Sequence, residues 1–265
     1  MSDSRKLKKH LLGIRATEKL ASAMKTVATA KFSTLSALNS AYAEYSDACA
    51  DMMKGFGASK LRPKGKGTLY LLFTGNKGLC GGYNSETVAY IEENAEKDST
   101  FIVCGKKGEE LLAAKGIAAE HFEAEDVPTP ADAERLFEKI KDRISQYGDV
   151  VLVYRRFVNA LTYPITAESL FPENMCREDS DILYLPDKSA IAEPLEKLCL
   201  TSRLYGVMLQ SATGAQAATL MTMRSAADNA KEEAAKTELK LNRERQNALT
   251  ASVIESASGM IHEEF

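Results

Sequence analysis

The chain has 265 residues, 45% hydrophobic and 27% charged, with a formal net charge of −3. That balance excludes wholesale disorder and gives no global attraction to nucleic acid, so any basic partner surface must be local. The length exceeds one small compact domain and falls short of two large ones.

All seven prolines lie between Pro63 and Pro194. The segments on either side are therefore free of a residue that costs a helix interior about 3 kcal/mol. Residues 1–62 are expected to form one long helix. Leu7, Leu11, Ile14, Leu20, Met24, Val27, Ala28 and Leu35 recur at three- and four-residue steps, continued by Leu38, Tyr42 and Tyr45. Ser2 or Ser4 is placed to cap its start, and Gly55 and Gly57, ahead of Arg62-Pro63, to end it. The segment is locally basic: Arg5, Lys6, Lys8, Lys9, Arg15, Lys19, Lys25 and Lys31 face only Asp3 and Glu18. Such a field suits an acidic surface, or is simply a solvated helix face.

Residues 63–194 alternate between the strand and helix periods. Thr68–Thr74, Thr100–Cys104 and Asp149–Tyr154 read as strands. Ser85–Glu96, Gly108–Lys115 and Asp132–Tyr147 read as helices, the last capped by Thr129. Thr162–Ser169 reads as an edge strand weakened by Pro164. Strands separated by helices imply a small, mostly parallel sheet with helices on its faces.

Residues 195–265 are expected to form a second long helix. Its inward face runs through Leu204, Val207, Met208, Ser211, Ala215, Ala218, Thr222, Ala226, Ala230, Ala234, Leu241, Ala248 and Val253. Many of these are small, which lets two helices approach closely. A helix of about 50 residues is roughly 75 Å long, so it needs surroundings or must be a stalk. The fold class is thus α/β, a long antiparallel coiled coil of the terminal helices plus a small central Rossmann-like α/β domain.

Chemistry-bearing motifs are few. Cys49, Cys80, Cys104, Cys176 and Cys199 are scattered without a CxxC, which reads as reduced thiols in a cytoplasm-facing protein. His10, His121 and His262 are equally dispersed, so neither a metal nor a cofactor is expected. No apolar run reaches 18 residues and the N-terminus lacks a signal-peptide pattern, so no membrane insertion is expected. The glycine-rich turn Gly75-Asn-Lys-Gly-Leu-Cys-Gly-Gly-Tyr-Asn84 follows the first strand and precedes a helix, where phosphate loops sit. It matches neither GxxxxGK[ST] nor GxGxxG, and no histidine lies near Cys80 in sequence to activate it. Gly78, Cys80, Gly81 and Gly82 are therefore read as a structural turn. Two alternatives stand beside this reading: a nucleotide- or phosphate-binding α/β protein with helical arms, and a coiled-coil adaptor whose basic arm binds nucleic acid. Against the latter, the arm lacks interleaved aromatics.

Three collinear blocks carry a resemblance: Ile14–Thr17 with Ala23–Lys31; Gly78–Asn84; and Met223–Asn229 with Leu241–Gln246 and Thr250. Together they resemble the gamma subunit of F-type ATP synthases across nearly the whole chain. The resemblance implies a central-stalk rotor without a catalytic site of its own. Its paired helices would turn inside a ring of alpha and beta subunits, coupling ion flow through the membrane ring of c subunits to ATP synthesis or hydrolysis at beta. The epsilon subunit and the c ring would lie near the central domain. The complex would be peripheral on the cytoplasmic face of a bacterial plasma membrane. By position, Met24 and Lys25 would lie near the acidic catch loops of beta, and Arg245, Gln246 and Thr250 would engage the same region. The chain departs from the family signature near its end, with Ser252 where a glutamate is usual and Met260 where a small residue is usual. It lacks the paired-cysteine insertion of the chloroplast type, so thiol control is not expected.

Overall fold

Two helices of unusual length dominate the computed structural model, which describes residues 2–54, 61–96, 98–171 and 188–262. Helix α1 spans Ser2–Lys54 and helix α5 spans Lys188–His262. Between them lie β1 (Thr68–Phe73), α2 (Tyr83–Asn94), β2 (Ser99–Cys104), α3 (Lys106–Ala114), β3 (Glu120–Phe122), α4 (Pro130–Ile140), β4 (Asp149–Arg155) and β5 (Ile165–Ser169). The fold is α/β, as the alternation of periods implies. The expected helix stop at Gly55 and Gly57, Cys176, and the acidic end from Glu263 lie outside the described residues.

The sheet order is β3-β2-β1-β4-β5. Strands β1 to β4 pair in parallel and β5 is antiparallel to β4. All six residues of β1 are buried, as a central parallel strand covered on both faces requires. Its side chains alternate between two cores. Tyr70 and Leu72 pack with Val88, Ile91 and Leu112 of α2 and α3. Leu69, Leu71 and Phe73 pack with Leu136, Phe137 and Ile140 of α4, and also with Leu35 of α1 and Leu204 and Met208 of α5. Helix α4 starts as expected: Thr129 caps it in a box with Asp132, and Pro130 sits in the first turn where no N–H is missed. It is shorter than expected, since the chain leaves the α-helix after Ile140 and makes a separate 3-10 turn at Ile144–Gln146. Strand β3 had no sequence signal, because three residues give no measurable alternation.

Contacts divide the chain into two compact units, residues 28–221 and residues 1–27 with 222–265, so the division falls within both long helices. In the larger unit, α1 and α5 run antiparallel. Tyr42 donates to the Ser202 carbonyl at 2.7 Å, and the Asn39 amide donates to the Leu209 carbonyl at 3.3 Å. In the smaller unit, Leu7, Leu11 and Ile14 pack against Ala234 and Leu241, and Ala21 and Met24 against Met223 and Ala227. The α5 side of this seam, Met223, Ala227, Ala230, Ala234, Thr237 and Leu241, steps by alternating fours and threes, the 3.5-residue period of a left-handed coiled coil.

Strict periodicity corrects five positions of the expected apolar faces, among them Tyr45 at 44% exposed. Leu20 and Val27 are 63% and 58% exposed, because each stands one residue, about 100° around the helix, from the buried residues Ala21 and Ala28. Ala248 and Val253 are exposed as well; every position of α5 after Leu241, as far as Ser256, is exposed. Helix α5 also begins before its expected start and carries Pro194 inside its second turn. Leu35→Ala should lower the unfolding free energy by about 2–5 kcal/mol in urea, as for a fully buried leucine. Ser33→Ala, an exposed neighbour, should change it by less than about 0.5 kcal/mol.

Candidate functional site

In a doubly wound sheet, ligands bind beyond the carboxyl ends of the strands, where the strand order reverses. Here that crevice lies past β1, and the glycine-rich turn leads out of it. Helix α5 runs along the crevice. Met208, Ser211, Ala212 and Ala215 line it, together with Phe73, Gly75, Asn76 and Asp126, leaving about 60 Å³. A nucleotide-sized site needs about 300 Å³ or more. The chain's own helix occupies the place where a nucleotide would lie, which removes the geometric basis of the nucleotide-binding alternative.

The turn is built to grip that helix. Asn84 is 3% exposed and pins the loop from inside. Its side-chain oxygen accepts from the Gly75 N–H at 2.8 Å, and its amide donates to the Lys77 carbonyl at 3.1 Å and to Cys80 Sγ at 3.3 Å. Tyr83, the next residue inward, donates to the Ser211 carbonyl at 2.7 Å, while the Ser211 hydroxyl donates to the Phe73 carbonyl at 3.2 Å. A β-carbon at Gly214 would stand 3.2 Å from the Tyr83 ring, so a larger residue there would force helix and turn apart. Burial pushes the Tyr83 hydroxyl well above its ordinary value, and it remains a donor at any physiological pH.

Arg155 closes the other side. It is buried, its guanidinium lies over the Tyr83 ring at 5.1 Å, and it donates to the Tyr83 carbonyl at 3.2 Å and to Glu86 at 2.6 Å. Its other donors meet the Thr87 hydroxyl at 3.1 Å and the Tyr163 carbonyl at 3.4 Å, so its charge is spent within the fold. Cys80 is 4% exposed and burial pushes its thiol up, the opposite of what a nucleophile needs. Among the predicted turn residues, Gly81 has a φ of +61°, which favours glycine. Gly78 has open space around it and no unusual φ, and a β-carbon at Gly82 would meet only the flexible end of Glu86. Leu79 takes a φ of +64° and stands 57% exposed.

A second tie joins the turn to α1. Asp126 accepts from Lys31 at 2.5 Å and from Lys77 at 2.9 Å, and the Asn76 amide donates to it at 3.3 Å. Burial would raise this carboxyl, but the two ammonium groups outweigh it and hold it at about 2. Sequence reading quoted Tyr83 and Asn84 inside the motif without assigning them a role, and it missed Arg155 and Asp126. Both of the latter act through partners 69 and 95 residues away, which no local pattern encodes.

The partner-binding candidates lie in the smaller unit and form two groups. Met24 is half-buried against Met223 and Ala227, with Lys25 beside it on α1. Arg245, Gln246 and Thr250 are exposed, and the Thr250 hydroxyl donates to the Gln246 carbonyl at 3.0 Å. Arg245 is 18 residues past Ala227, about 27 Å along α5, so the two groups do not form one cluster. Among the described residues, no helix is long and apolar enough to cross a membrane, and no group of three potential metal ligands occurs.

A family model described as ATP synthase matches residues 3–261. The ATP synthase gamma chain of Clostridium novyi (strain NT) is 30% identical over 276 residues, covering 96% of this chain and 95% of that one. The ATP synthase gamma chain of Ligilactobacillus salivarius (strain UCC118) is also 30% identical, covering 94% and 95%. A chain in the cryo-EM structure of the Euglena gracilis mitochondrial ATP synthase superposes with a TM-score of 0.73 at 17% identity, covering 98% of this chain and 94% of its own length, a likeness of fold.

The Asp126 tie has a pH signature. Its folded value of about 2 lies below the ordinary 3.8, so its contribution is present above 3.8 and lost as pH falls through 2. Asp126→Asn should lower stability by about 1–2 kcal/mol at pH 6, and the gap to the parent protein should narrow below pH 3.8 and close only as pH falls past 2 in urea unfolding.

Proposed function

The chain belongs to the gamma-chain family of ATP synthase, and on that premise we propose that it is the central-stalk rotor of an F-type complex. A gamma chain is a non-catalytic subunit, the catalytic sites being on the beta subunits. The rotor couples ion translocation through the membrane ring to ATP synthesis or hydrolysis at those sites. In physical terms it is a ligand with different affinities for the beta conformations, so turning it shifts their populations in sequence. Its partners are the alpha and beta subunits of the ring, the epsilon subunit and the c ring. It sits peripherally on the cytoplasmic face of a bacterial plasma membrane.

The observation that supports this most directly is apolar surface left over once the helix seam is satisfied. On α1, Leu12, Leu20 and Val27 are each about 60% exposed, with Ala16 and Ala23 exposed between them at helical spacing. On α5, Leu249, Val253 and Ile254 are 61–67% exposed. Contiguous apolar surface of this kind marks an interaction face, and the ring interior supplies its cover. Met24 with Lys25, and Arg245 with Gln246 and Thr250, then meet the beta subunits at two separate levels. Each exposed polar contact contributes only about 0–1 kcal/mol, so torque is distributed over many contacts.

Affinity purification of the tagged full chain from its own host should recover alpha and beta subunits with ATPase activity. Recovery of the chain alone, binding nucleotide stoichiometrically, would overturn the rotor reading. In the recovered complex, Arg245→Ala should change ATPase by no more than about fivefold, the equivalent of about 1 kcal/mol. Met24→Lys adds a charge at a half-buried seam position, and should reduce ATP-driven ion pumping more than ATPase.

A further inference from the structure

Cys49 and Cys199 lie 150 residues apart, yet share one small cluster with Leu195 where the last turns of α1 meet α5. They are 2% and 3% exposed. The Cys199 thiol donates to the Cys49 main-chain carbonyl at 3.2 Å. Both are free. The Cys199 sulfur therefore already stands against the Cys49 residue in the reduced fold, where a disulfide partner must be. Cys80 and Cys104 are also buried, but they sit in two other clusters.

We propose that Cys49 and Cys199 form a reversible disulfide with peroxide as oxidant, a modification site that fastens the end of α1 to α5. One thiol gives up its proton and the thiolate attacks a peroxide oxygen; the O–O bond breaks, giving a sulfenic acid and hydroxide, which takes up that proton to become water. The second thiolate attacks the sulfenic sulfur; the S–O bond breaks and hydroxide leaves, taking a proton to become water. Two thiols and one hydrogen peroxide thus give one disulfide and two waters, the sulfurs losing the two electrons that the peroxide gains. A small thiol reverses the step by exchange.

Burial pushes the Cys199 thiol up, so reaction proceeds through local opening rather than from the closed pair. One feature favours opening here. Pro194, five residues before Cys199, has no N–H to bond the carbonyl one turn earlier in α5. The disulfide would remove that weakness by holding the two helices in register. The chemistry is the chain's own and needs no partner subunit.

The test is hydrogen peroxide treatment of the native full-length protein, followed by non-reducing electrophoresis and peptide mapping. The expected product is a monomer of faster mobility, reversed by dithiothreitol, with the Cys49 and Cys199 peptides joined and lighter by two hydrogens. Amide exchange across Tyr45–Met52 should slow by about tenfold or more. Cys49→Ser and Cys199→Ser should each abolish the fast-migrating product; should either fail to fold, the parent peptide map decides alone. Sulfinic or sulfonic acid at either cysteine without the cross-link would overturn the proposal. So would a joined peptide pair that appears only after denaturation in urea.

Discussion

One face of the central sheet has no complete cover within its own segment of chain. Helices α2 and α3 bury the side bearing Tyr70 and Leu72, but α4 alone does not close the side bearing Leu69, Leu71 and Phe73. Leu35 from α1 and Leu200, Leu204, Val207, Met208 and Leu209 from α5 complete it. Burial of that apolar face is the constraint from which the rest follows, since each fully buried leucine contributes about 1.5–3 kcal/mol. It makes the sheet and the adjoining stretches of the two long helices a single core.

That arrangement also explains why a sheet of nucleotide-binding topology has so little room in its usual crevice. The carboxyl ends of the strands face α5, so the glycine-rich turn, freed from holding a phosphate, holds a helix. Asn84 fixes the loop, Tyr83 reaches the Ser211 carbonyl, and Arg155 spends its charge on Glu86 and the Tyr83 carbonyl. Polar groups that would otherwise recognise a ligand are satisfied internally, as buried polar groups must be. Lys31 and Asp126 add a tie to the other long helix.

In the smaller unit the economy is different. Two helices meeting through alanine, methionine and leucine bury only a narrow seam, and most of each helix surface stays outside it. A pair so thin has apolar residues to spare, and those residues are what a surrounding ring would read. Its seam and its outer face are distinguished by a single residue step, as Ala21 beside Leu20 shows.

The sequence by itself determined the elements whose causes are local. Proline-free ends allowed long helices, a buried β-rich run made β1, and Thr129 with Asp132 capped α4, because each depends on neighbours a few residues away. The three motif blocks, in order, were enough to indicate the family. Only the tertiary structure decided what depends on distant partners. It turned Leu20 and Val27 outward, since a 3.5-residue seam tolerates no one-residue slip. It made Glu120–Phe122 a strand, because β2 was there to pair with it. It gave Arg155 and Asp126 their roles, separated Met24 from Arg245, and brought Cys49 to Cys199. Local propensity is written in adjacent residues, whereas a contact across 150 positions exists only once the chain has closed the loop between them.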